Sequence, residues 1–289
     1  RWTSTFSASQ THSKKPTMAV ASCTSSPVCG KETDTPSALH VIIEAKPFAR
    51  GTVILDHKGS AVLGENVEII VGDEAEITVI SIQDWDTDAV HNSAQFAKLG
   101  RNSKLRHMVV SLGGKTLRVS TSAEFTGTGG DVELLGMYFA DAGQYIENRL
   151  YVDHAVPNCK SRVTYKGALQ GDKAHTVWVG DVLIRMAAEG TDTYELNRNL
   201  LLTDGARADS VPNLEIETGK IEGAGHASAS GRFDDEQLFY LQARGINERE
   251  ARRLVVRGFL NEIIQKIGNE EIESRLSASI EAELERSGS

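Results

Sequence analysis

Asp153, His154 and Cys159 place an acid, an imidazole and a thiol within seven residues, in "YVDHAVPNCKS". These are metal-handling groups, but their spacing is that of neither a zinc knuckle nor a nucleophile–base dyad. The same residues also read as an ordered corner, with Asp153 accepting turn hydrogen bonds and Pro157 fixing the bend. His226 has a different setting. In "GAGHASAS" it is the one bulky polar group among glycines, alanines and serines. A neutral imidazole is a borderline-soft ligand for iron or zinc that titrates near neutrality. The alternative is a surface histidine beside a junction. His175, ahead of "TVWVGDVLIR", reads as a packing residue. Asn197 and Asn199 in "TYELNRNLLL" read as a corner pair whose amides satisfy backbone groups. The motifs G-x-S-x-G, H-E-x-x-H, G-x-x-x-x-G-K-[ST] and G-x-G-x-x-G do not occur, which argues against nucleotide hydrolysis by this chain.

These residues need a scaffold. At 289 residues, 40% hydrophobic and 25% charged, with 26 glycines and six prolines, the sequence has the composition of a folded globular protein. A formal charge of −9 leaves no global basic field for a nucleic-acid backbone. No apolar run reaches the ~20 residues that span a bilayer, and no secretory pattern opens the chain. The expectation is a soluble, unexported, cytoplasmic protein without nucleic-acid or membrane partners. Cys23, Cys29 and Cys159 make no disulfide framework and suit a reducing compartment. Cys159 in particular reads as a small buried hydrophobe.

Residues 1–39, rich in Ser and Thr and holding Pro16, Pro27 and Pro36, read as a flexible tail. Because the chain starts at Arg1, it also reads as a fragment. From 40 to 229 short runs such as "GTVILDH", "EITVISIQDW", "VELLGMYFAD" and "SRVTYKGAL" succeed one another with little helical pattern between them. Two-residue Asn-Gly or Asp-Gly hairpin turns are missing apart from "TDGA" at 203–206. A coil of parallel strands with glycine and asparagine at its corners fits, with apolar pairs recurring at spacings on the order of 20 residues. A β-sandwich remains open on pattern alone.

From 230 to 289 the period becomes helical. Asp234 and Gln237 suit one N-terminus and Asn247 with Glu250 a second, while Gly245 and Gly268 suit helix ends. In the second helix Ala251, Leu254, Val255, Gly258, Phe259, Glu262, Ile263 and Ile267 fall on one stripe. Ile272, Leu276, Ile280 and Leu284 make a narrow seam in the third, suited to closing against a partner or the preceding helix.

The segments "LLLTDGARADSVPNLEIETGKIEGAGH", "GHASASGRFDDEQLFYLQARGI", "VDHAVPNCKSRVTYKGALQGDKAHTVWVGDVLIR" and "TDTYELNRNLLL" together resemble the SufB/SufD family of iron–sulfur cluster assembly proteins, and SufD most. The resemblance extends over about residues 40–289. It implies a mainly β protein, a right-handed parallel β-helix followed by a small C-terminal α-helical domain. It further implies a non-catalytic scaffold that pairs with a SufB-like paralogue through the β-helices, or with a second copy of itself. A SufC-like ATPase would bind the helical domain, for which Asp234, Asp235, Glu236, Gln237, Phe239, Tyr240 and Arg244 are the candidates. No cofactor would be held tightly, only a transient cluster or iron at the SufB interface. His226 matches the histidine implicated there; Ala224 stands where many relatives carry a cysteine, and Cys159 matches a cysteine of the family's "DH…C.S" segment. Two other readings are a β-helix enzyme acting on acidic polysaccharide, with Asp153, Lys160 and Arg185 as its groove residues, and a self-stacking β-helix.

Overall fold

The computed structural model describes residues 2–8, 17–24, 35–232, 235–268 and 270–286. The segment read as a tail therefore lies partly outside the described residues, as does Asp234; within it, β1 (Trp2–Ala8) and β2 (Thr17–Thr24) are strands. There follow β3 (Pro36–Ala45), β4 (Arg50–Gly59), β5 (Val62–Val71), β6 (Glu76–Trp85), β7 (Val90–Leu99), β8 (Lys104–Gly113) and β9 (Thr116–Phe125). The remaining strands are β10 (Asp131–Ala140), β11 (Tyr145–His154), β12 (Lys160–Leu169), β13 (His175–Ile184), β14 (Asp192–Leu201), β15 (Arg207–Ile216) and β16 (Gly223–Arg232).

Odd strands form one eight-stranded parallel sheet and even strands another, so the chain alternates between two sheets in a solenoid of about seven turns. The sandwich alternative is thereby excluded. From β3 on, register neighbours lie from 26 residues apart (Pro36 and Val62) to 32 apart (His175 and Arg207). The interval of about 20 inferred from apolar pairs was too short, because each turn holds two ten-residue strands, each with its own apolar run.

One corner shows why the chain coils. Phe48, Glu74, Asn102, Gly129, Asn158 and Gly190 each adopt positive φ, once per turn between an odd and an even strand. All of their amides but that of Gly129 bond to the next turn, as in Phe48 N–H to Asp73 O (3.0 Å) and Asn158 N–H to Glu189 O (2.8 Å). The residue after each is small or compact and stacks inside: Ala49, Ala75, Ser103, Gly130, Cys159 and Thr191.

Alternation along each strand sends one set of side chains into the core between the sheets, Val67, Leu99, Phe125, Leu134, Tyr165 and Trp178 among them. Two of the aromatics need missing neighbours. Gly136 is in register with Tyr165, and Tyr138 with Gly167. A methyl group on Gly136 would lie 1.9 Å from the Tyr165 ring, and one on Gly167 would lie 1.8 Å from that of Tyr138.

The even sheet is also apolar outside, at Ile80, Ile82, Met108, Val110, Leu135, Met137 and Phe139, and helices cover it. They are α1 (Asp235–Ala243), α2 (Glu248–Ile264) and α3 (Glu270–Arg286). The Asn247 side chain caps α2 by accepting from Glu250 N–H (2.9 Å), and Gly245 and Gly268 have φ of 86° and 68°. The α3 seam of Ile272, Leu276, Ile280 and Leu284 is buried against this sheet and α2. The α2 stripe is rotated from the expected one: Val256, Leu260, Ile263, Ile264 and Ile267 are buried, whereas Gly258 and Glu262 are exposed. Lys166 on the outer face of the sheet reaches the exposed Glu262, Phe259 O (3.2 Å) and the Phe259 ring.

Candidate functional site

Among the described residues no strand pairs beyond the last turn, β15 with β16, so it forms an open end. β16 is built from "GAGHASASGR", and its register with β14 sets Ala224, His226, Ser228 and Ser230 beside Thr193, Glu195, Asn197 and Asn199. Those four β14 residues are buried interior positions, so their β16 neighbours share the interior-facing side. Ser230 demonstrates it by accepting from Asn199 Nδ2 (3.2 Å). His226 is thus the large interior-facing side chain among small ones, and because nothing stacks on it, it is exposed.

Beneath it lies an anomaly. Glu195 is 1% exposed, and both its carboxylate oxygens are buried without a hydrogen-bond partner. Burial, and behind it the charge of Asp181, pushes its pKa up to about 8. Gly180 makes room for it, since a methyl group there would lie 2.7 Å from Glu195 Oε1 and 2.4 Å from the Trp178 ring. The Trp178 indole N–H, also buried, has no partner either. Glu195 carries no motif in the sequence; only the register, 31 residues from His226, reveals it.

Asn197 and Asn199 are not corner residues. They stand mid-strand in the interior, where Asn197 Nδ2 donates to the Tyr138 hydroxyl (3.0 Å) and Asn199 Nδ2 to Ser210 Oγ (3.0 Å). His175 Nε2 donates to Asp209 Oδ2 at 2.8 Å, and its ring packs edge-on to Tyr145.

The structure separates Asp153, His154 and Cys159. Adjacent strand residues face opposite ways. Asp153 takes a two-pronged bond from Arg185 (2.7 and 2.8 Å), whereas His154 points inward to Ser161 Oγ (2.9 Å), its pKa lowered to about 4 by burial. Cys159 is fully buried at the stacked corner; burial raises its thiol pKa, against backbone donors at Gly130 and Gly129. Of the carbohydrate-enzyme residues, Asp153 and Arg185 neutralise one another beside the odd sheet, and Lys160 lies in the even sheet, next to its register neighbour Asp192 (4.0 Å).

A second polar cluster, which no sequence motif marks, lies in the core. Among the described residues, His57, Glu65 and His91 bring ligand-type atoms within 4.8 Å of one another in the core. Their partners assign the protons. His57 has Nδ1 on Ile82 O (3.0 Å) and Nε2 on Glu65 Oε1 (2.9 Å), both acceptors, so it is an imidazolium paired with a carboxylate. Ser93 donates to Glu65 Oε2 (2.6 Å). The Trp85 indole donates to His91 Nδ1 (3.2 Å), which leaves the His91 proton on Nε2, 3.4 Å from Glu65 Oε2 but without a hydrogen bond to it. Protons thus stand where a metal would need lone pairs.

On α1, Phe239 and Tyr240 are 72% and 56% exposed, and Arg244 lies over the Tyr240 ring (4.3 Å). Glu236 is exposed; the side chains of Asp235 and Gln237 lie outside the described residues, and so does Asp234. No helix among the described residues is long and apolar enough to cross a membrane.

Comparison with known proteins adds three findings. The family model described as "SUF system FeS cluster assembly, SufBD core domain" matches residues 28–259. An iron–sulfur cluster assembly SufBD family protein of Mycobacterium bovis is 60% identical over 252 residues, 85% of this chain and 64% of that protein. The iron–sulfur cluster assembly protein SufD of Escherichia coli is 30% identical over 169 residues, 58% of this chain and 40% of its own length. The chain thus spans less than two thirds of the length of these relatives.

Proposed function

The chain belongs to the SufBD family of iron–sulfur cluster assembly proteins, and we propose that it serves there as a SufD-like, non-catalytic scaffold subunit. The observation that carries this reading is the match of residues 28–259, the solenoid from β3 on with α1 and most of α2, to the SufBD core, together with similarity to a protein named SufD. The open solenoid end supports docking of a SufB-like paralogue, because β15 and β16 present unpaired edges there, with Val211 and Ile216 exposed. A second copy of the chain would use the same edge. The exposed Phe239 and Tyr240 support docking of a SufC-like ATPase on α1, with Glu236 and Arg244 beside them. Such a partner would supply the nucleotide chemistry for which this sequence has no phosphate loop.

In this reading iron or a nascent cluster is cargo at the SufB-facing end, with His226 as the ligand this chain offers. Imidazole can ligate iron beside thiolates. Cys159 enters as a packing residue, because its surroundings favour the neutral thiol over the thiolate that binds metal. A reducing, cytoplasmic compartment suits both the free thiol and the cargo.

Co-expression with SufB-like and SufC-like proteins, followed by anaerobic iron–sulfur reconstitution of the purified complex, tests the proposal. The expected result is a three-component complex whose cluster yield falls in His226→Ala while assembly persists. Failure to co-purify sinks the scaffold reading, and an unchanged yield removes His226.

A further inference from the structure

We propose that Glu195 and His226 together form a divalent-cation site at the open end of the solenoid. The inference deepens the preceding section, since it rests on that end being where metal cargo is handled, and it assigns a residue that no motif marks.

A carboxylate removed from water needs donors or a cation. Glu195 has neither: both oxygens are buried and unpartnered, and the other interior polar residues of β14 are not in this position. Asn197 and Asn199 are tied to Tyr138, Ser210 and Ser230, and Thr193 to Ser161. The fold keeps the space for Glu195, because Gly180 opposite it has no side chain where Oε1 lies. A residue held this way, with no internal partner, is provided for something that arrives.

The register says from where. His226 is the next residue along the stack on the same side of the same sheet, one strand spacing of about 4.8 Å away. No bond holds its ring in the described structure, and it is exposed. Approach from the end is eased by small neighbours: Ala224 and Ser228 flank His226, and Ser210 stands over Trp178. Carboxylate oxygen with imidazole nitrogen is a donor set for borderline divalent ions, iron(II), cobalt(II) and zinc(II) among them. Two protein donors leave further coordination positions open, as a site that passes its metal on requires.

Cobalt(II) is the probe, added anaerobically to the full chain and followed by its visible absorption and by calorimetry. The expected result is one site per chain, weakened at least about tenfold by Glu195→Gln and by His226→Ala, with the double variant no weaker than the weaker single one. Glu195→Gln is isosteric, and an unchanged far-ultraviolet dichroism spectrum establishes its fold. In the unsubstituted chain cobalt should also shift the His226 ring resonances and leave those of the half-buried His40, bonded to Glu68, in place. The inference is overturned if no cobalt binds, if Glu195→Gln binds as the parent does, or if the His226 resonances do not move. Those outcomes leave the scaffold reading intact, because it is judged separately by complex formation and by cluster yield in His226→Ala.

Discussion

Arg275 of α3 donates two guanidinium nitrogens to the Asp56 carboxylate of β4, at 2.6 and 2.9 Å, across 219 residues of sequence. With Lys266 on Glu133 (2.9 Å) and Lys166 on Glu262, it fastens the helices to the outer face of the even sheet. Asp56 is nearly buried and Arg275 mostly so, which keeps the pair from being screened as a surface pair would be. Arg275→Ala is therefore expected to cost about 2–3 kcal/mol, read from denaturant midpoints. Hydrogen exchange should rise in α3 before it rises in the solenoid.

Leu276, fully buried in the α3 seam, tests the apolar half of the same attachment. Leu276→Ala should cost about 3 kcal/mol through the cavity it leaves. Dye binding to the uncovered sheet face should accompany the loss.

The core pair of His57 and Glu65 makes stability depend on pH in two directions. Burial alone would lower the His57 pKa, but the charge and hydrogen bond of Glu65, helped by Ile82 O and Asp56, carry it above 6.5. Burial would raise Glu65, and His57 and His91 bring it well below 4.5. The His57 contribution is full below 6.5 and is lost as pH rises through the raised folded value. The Glu65 contribution is present above 4.5 and is lost as pH falls. Stability from the pair should peak between those values. Glu65→Gln should cost about 3–5 kcal/mol there and flatten both limbs of a series of unfolding curves across pH.

Glu195 acts in the opposite sense to an ordinary paired carboxylate. Its folded pKa of about 8 lies above the usual 4.5, so the folded chain keeps a proton that the unfolded chain releases between those values. Stability should fall there as pH rises, by up to about 1.4 kcal/mol per pH unit. Glu195→Gln should remove that slope and be the more stable protein at about pH 8, as thermal melts would show.

The legible part of this protein was its local pattern. Strand runs, the switch to helix, the Asn247 cap, the glycine ends and the Ile272–Leu284 seam all follow from spacings within ten or so residues. What the pattern hid depends on neighbours a whole turn away. Glu195 and His226 are 31 residues apart, and Asn197 looks like a corner residue until Tyr138, two strands along the same sheet, is found bonded to it. Helical spacing alone likewise does not fix which face of α2 meets the sheet, where Val256, Leu260 and Ile264 are buried while Glu262 is exposed.

The reciprocal pairing of Gly136 with Tyr165 and of Tyr138 with Gly167 gives neighbouring turns the relation of key and lock. Repeating proteins can commonly gain or lose a unit, since one unit fits on another as well as on its own neighbour. Here two adjacent units are individually addressed. Copying the turn that contains either tyrosine would set ring against ring and glycine against glycine, and deleting one would set the remaining ring against Val109 or Asn199 where it now meets a glycine, so length could change at the corners but not by whole turns through this stretch.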